Sequence, residues 1–112
     1  MKLAILVLNK EEYLEPILEG FIEIDITGAT IVDSIGMGHI LSSEVPIFAG
    51  LRFMFSGSRP YNKTIMSVIK NEKVKPLKKL IKKILGPIDQ KGNGILFFIE
   101  LSEVVGLKPE IT

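Results

Sequence analysis

The chain has 112 residues and a mass of 12.4 kDa, enough for one domain built around one core. Hydrophobic residues make up 46% and charged residues 24%, a globular composition that excludes disorder as the main state. The net charge of +1 predicts no polyanion partner, the absence of cysteine excludes disulfides and thiolate metal sites, and the single histidine, His39, excludes a multi-histidine metal site within one subunit.

Residues 3–8 form a continuous apolar run and predict a strand buried on both faces. Asn9, with Glu12 three residues on, resembles a capping box. Leu14, Ile17, Leu18, Phe21 and Ile22 then recur at helical spacing and predict a helix over 10–23, with an irregular first turn or a kink at Pro16. After a turn at 26–28, the β-branched stretch 29–35 suits a strand. Gly36 and Gly38 end it, and a long connection runs to about Asn62. Within that connection Ile47, Phe48, Leu51, Met54 and Phe55 lie on one face of a short helix, opened by Pro46 and stopped by Gly57. Residues 64–69 read as a third strand. Residues 71–85 read as a second helix, capped by Asn71, with Pro76 near its start. A turn-rich loop covers 86–94, a fourth strand covers 95–101, and Val104 and Val105 are expected to extend the sheet briefly.

The order strand, helix, strand is thus met twice, without obvious sequence repetition. Right-handed crossovers turn this order into an α+β fold over a single domain, 1–112. It is the ferredoxin-like βαββαβ sandwich, a four-stranded antiparallel sheet with two helices on one face. Between Glu11 and Asp33 there are seven acids and no base, and between Glu72 and Lys83 six lysines and one acid. The two helices carrying these charges lie side by side in such a fold and are expected to complement one another. That competes with a nucleic-acid or membrane reading of the lysines and is preferred to it. The other sheet face has no helix to cover it, so apolar strands call for a partner surface, and a homo-oligomer is the simplest supplier.

No apolar run approaches the ~20 residues of a membrane helix. No basic stretch precedes a cleavable apolar segment, so a cytoplasmic protein without membrane insertion is expected. The search for catalytic groups finds none: Glu100 and Glu103 do not suggest a paired acid and base, and no serine elbow or P-loop occurs. The chain is expected not to be an enzyme.

Several residues have two readings. Gly36-Met37-Gly38 permits close approach of a phosphate to backbone N–H groups, or simply ends a strand. Gly92-Asn93-Gly94 shares that ambiguity with a tight turn. Arg52 and Arg59, the only arginines, either contact an anion, with 56–59 as an anion nest and Lys63 adding charge, or solubilise an oily segment. His39 is a phosphate contact, a ligand, a base or a surface residue.

The stretch Ile26-Thr27-Gly28-Ala29-Thr30-Ile31-Val32, followed by Gly36-Met37-Gly38, resembles the PII signal-transduction family. That family carries a Thr-Gly-x-Thr run into its second strand and a Gly-x-Gly at the base of its mobile T-loop. Gly92-Asn93-Gly94 before Ile95-Leu96-Phe97-Phe98 is similar to its glycine-rich B-loop and fourth strand. On this resemblance 36–62 is the T-loop equivalent and 86–94 the B-loop equivalent. The resemblance implies a homotrimer that binds nucleotides between subunits and regulates a target enzyme, transporter or regulator, with nitrogen regulation as the family's theme. An adenine nucleotide is the implied ligand. Thr30, Gly36, Met37, Gly38, Gly92, Asn93 and Gly94 match nucleotide-cleft positions. His39 stands where a basic residue usually approaches the phosphates, and Lys108 keeps one of two C-terminal basic positions, Gly106 taking the other. Ile95 replaces the lysine that usually follows the B-loop glycines, so the chain looks like a divergent member. A different class of function also fits: an interaction trimer that docks a partner through the apolar 45–55 segment, Phe48 and Leu51 above all, with no nucleotide.

Overall fold

The computed structural model describes residues 1–37, 40, 61–86 and 93–107. Strands β1 (Lys2–Leu8), β2 (Thr30–Ile35), β3 (Tyr61–Ile69) and β4 (Gly94–Glu100) form one antiparallel sheet in the order β2-β3-β1-β4. Helices α1 (Leu14–Glu23) and α2 (Val74–Leu85) connect β1 to β2 and β3 to β4. This is the ferredoxin-like arrangement. The first and last strands pair at the centre and edge, Lys2 opposite Glu100, and their side chains form an ion pair there.

Side chains alternate across the sheet, so residues opposite one another in the ladder share a face. Ala4, Leu6 and Leu8 of β1 and Ile65 and Ile69 of β3 pack under Ile17 and Phe21 of α1 and Leu77 and Ile81 of α2. Each such side chain contributes roughly 1.5–3 kcal/mol by leaving water. The opposite face carries Leu3, Ile5 and Val7 beside Ile95, Phe97 and Ile99, with Met66 and Val68 on the other flank. No helix covers it: Ile95 is 61% exposed and Ile99 47%. The strand expected to be buried on both faces is therefore buried on one.

Both helices begin with a three-residue 3-10 turn, Glu11–Tyr13 and Asn71–Lys73, followed by an α-helix with proline at its third position. Pro16 and Pro76 thus fall in the first turn, where their missing N–H breaks no α-helical bond, and the irregular first turn expected at Pro16 is this 3-10 turn. The capping boxes are not formed, since neither helix start has a side-chain cap. The Asn9 carboxamide oxygen instead accepts from the Asn62 side chain at 3.5 Å. Val104 and Val105 do not extend the sheet. Residues 101–107 form no strand, and Val105 is 96% exposed.

The equal construction exposes a repeat that composition hides. Positions of α1 recur 60 residues on in α2: Pro16 and Pro76, Ile17 and Leu77, Phe21 and Ile81. At the crossing the symmetry breaks, because a Cβ on Gly20 would lie 2.4 Å from Leu80 Cδ1. Glycine there lets Leu80 fill the space between the helices. α1 ends in a Schellman motif: the Ile26 N–H donates to Phe21 O at 2.8 Å and the Asp25 N–H to Ile22 O at 3.0 Å, with Asp25 left-handed at φ 62°.

The expected pairing of acidic α1 with basic α2 is not what joins the helices. Among the described residues one contact links the two charge groups, Lys73 with Asp25 at 3.9 Å. The helices meet instead through Gly20 and Leu80 and the core beneath them.

Candidate functional site

The ladder places the two glycine turns. One row runs Asp33–Lys63–Leu8–Gly94 across all four strands. Gly36, just beyond the Ile35–Tyr61 pair, therefore lies at the same end of the sheet as Gly94, but on the opposite edge. Three strand spacings of about 4.8 Å separate those edges, some ~14 Å. Within one chain the turns share an end and not a ligand-sized cleft.

Each turn has local work. Gly94 holds φ at 150°, and a Cβ there would sit 2.6 Å from the Val7 carbonyl oxygen of β1. The first rung of the β1–β4 ladder thus requires glycine at this position. Asn93 is buried, and its side-chain N–H donates to the Leu85 carbonyl at 3.2 Å, satisfying the C-terminus of α2. Beyond β2 the chain turns helically, the Ile40 N–H donating to Gly36 O at 3.3 Å, and Met37 is exposed.

Beside Gly36 the open face changes character. Ser34 bonds with the Asn62 side chain and with Thr64 Oγ1, the latter at 2.8 Å, and Asn62 reaches Asn9. Four polar side chains therefore border an otherwise apolar face at its glycine end. Lys63, on the helix side of the same end, is held by Asp33; this hydrogen bond, more than the Coulomb attraction, pushes its pKa up. Sequence reasoning missed Asn9, Ser34, Asn62 and Thr64 as a group. The available signal was polar residues at alternate positions of strands whose neighbours are apolar.

Thr30 is elsewhere. It pairs with Met66, in the row Thr30–Met66–Ile5–Phe97, six residues along β2 from Gly36, roughly 20 Å at strand rise. There it lines a hollow of about 600 Å³ between the α1–β2 turn, the end of β3 and the tail at Gly106 and Leu107. Leu3, Met66 and Val68 give it apolar walls, Asp25, Lys70 and Lys73 a charged rim, and the Ser67 hydroxyl donates to Gly28 O across its floor.

Gly38, His39, Phe48, Leu51, Arg52, Arg59, Gly92 and Lys108 lie outside the described residues, as do the short helix of the connection and the anion nest at 56–59. Among the described residues no three His, Cys, Asp or Glu side chains come together as a metal site, and no helix is long and apolar enough to cross a membrane. No family model matches the chain, and no curated protein matches it.

Proposed function

We propose that the protein is a PII-like sensor. In this reading a homotrimer binds an adenine nucleotide between subunits and regulates a target enzyme, transporter or regulator in the cytoplasm through residues 36–62. The observation that carries the reading is the placement of Gly36 and Gly94 at one end of the sheet on opposite edges. A ligand contacting both turns needs a neighbouring chain, and the uncovered apolar face supplies a reason for a neighbour. The polar group of Asn9, Ser34, Asn62 and Thr64 borders that face where the ligand would lie.

A second reading, the interaction trimer without a nucleotide, draws on the local work of Gly94 and Asn93. Strand approach and the α2 cap account for both residues with no ligand. Melting in the presence of adenine nucleotides separates the two. A nucleotide at 100 times its Kd stabilises by about 2.7 kcal/mol, a shift of several degrees. No shift with any adenine nucleotide at millimolar concentration removes the sensor and leaves the interaction trimer.

A further inference from the structure

We propose that the outward faces of α1 and α2 form one self-complementary surface that docks a second copy of this chain about a twofold axis parallel to the helices. Glu15, Glu19 and Glu23 recur every four residues along α1, opposite the buried Ile17 and Phe21, and all three are exposed. Sixty residues on, the same positions of α2 are Lys75, Lys79 and Lys83, again exposed and again opposite the buried stripe. The internal repeat therefore keeps its buried residues and reverses the sign of its outward ones. None of the six forms an ion pair among the described residues.

The geometry selects the operation. β1 and β2 each run antiparallel to β3, so the crossover helices α1 and α2 run antiparallel to each other, crossing at Gly20 and Leu80. Half a turn about an axis above and midway between them lays α1 of one copy over α2 of the other, twice. Glu19 and Lys79 each lie one residue before the crossing. At 1.5 Å per residue every glutamate then falls within about 3 Å, along the axis, of a lysine of the other copy. The pairs are Glu15 with Lys83, Glu19 with Lys79 and Glu23 with Lys75. Such an interface is isologous and closes at two copies.

Two further features fit the same partner. Glu23 ends α1 and Lys75 lies in the first turn of α2, so each opposes the dipole of its own helix. The docking pairs these two charges with each other. Ile22, 59% exposed, lies on the flank of α1 away from α2, where the aliphatic stems of Lys78 and Lys82 of the other copy pass. The surface is on the opposite side of the molecule from the open sheet face, so the proposal stands whether or not the sensor reading does.

Sedimentation velocity of the full chain tests it. From about 0.05 M to about 0.5 M salt, screening shortens from well over 10 Å to a few ångströms, so the parent's self-association weakens roughly tenfold or more. E15K/E19K/E23K and K75E/K79E/K83E should each sediment at low salt as the parent does at 0.5 M, and their equimolar mixture should associate one to one. The full exchange of all six charges leaves the net charge unchanged and should associate as the parent does. Circular dichroism verifies folding, and E19K/K79E serves if the full exchange does not fold. Parent-like association of either triple variant, no salt dependence in the parent, an indefinite aggregate in the mixture, or a folded exchange variant that stays at the lower mass would each overturn the proposal.

Discussion

A glycine whose absent side chain faces a carbonyl oxygen is a different constraint from a glycine in a free turn. At Gly94 the conflict is with β1 backbone, which cannot step aside without breaking the ladder. Gly94→Ala is therefore expected to cost about 1–3 kcal/mol, read as a lowered Tm in ligand-free protein. An unchanged Tm would mean that the strand approach is not what selects glycine. Asp25 is the converse case, a side chain in a left-handed position that favours glycine. Asp25→Gly should raise stability by roughly 0.5 kcal/mol, since only a 3.9 Å contact with exposed Lys73 is lost. The carboxyl of Glu100 is held below its usual range, first by the hydrogen bond from Lys2 and then by the attraction of its charge. The folded pKa is the lower one, so the pair's contribution is present above the ordinary carboxylate value and lost as pH falls through the folded value. Both groups are largely exposed, so Lys2→Met should flatten the acid side of the Tm–pH curve only slightly.

Helix periodicity was legible because buried positions repeat at 3.6 residues, and both prolines already marked the first turns. Strand bounds were legible to within a few residues, β3 beginning at Tyr61 rather than 64. The 60-residue repeat was not legible, for a physical reason. Its buried pairs are similar without being identical, its outward pairs are opposite in charge, and its crossing pair is glycine against leucine. The tasks of Gly94 and Asn93 were hidden too, because each depends on a segment far away or folded beside it: Val7 of β1 and Leu85 of α2. Composition around either residue says only that a turn is near. The crossing gives a test at this scale. Gly20→Val should cost about 1–3 kcal/mol by crowding Leu80. Adding Leu80→Ala should recover part of that loss, with a coupling of roughly 0.5–3 kcal/mol in the double-mutant cycle. Independent effects at the two positions would place the helices further apart than the structure has them.

For the molecule as a whole the sheet is a two-sided object with one side finished. The proposed trimer assigns the unfinished side to neighbouring chains. Phe97→Glu, on the exposed face of β4, should leave the fold intact and lower the oligomer mass in sedimentation equilibrium, because the ring sits in no intramolecular core. A stable trimer carrying Phe97→Glu would assign the subunit contacts to another surface. The strand order also bears on how the chain reaches its native state. β1 pairs only with β3 and β4, and β2 only with β3. A growing chain that has made its first sixty residues thus holds two strands and a helix with no ladder bond between the strands to secure them. Loop-closure entropy is offset only once β3 arrives to bridge β2 and β1, and the last strand then closes against the first. Until β3 emerges, the apolar run of β1 has no strand partner in its own chain, and that interval is when it is most exposed to off-pathway association.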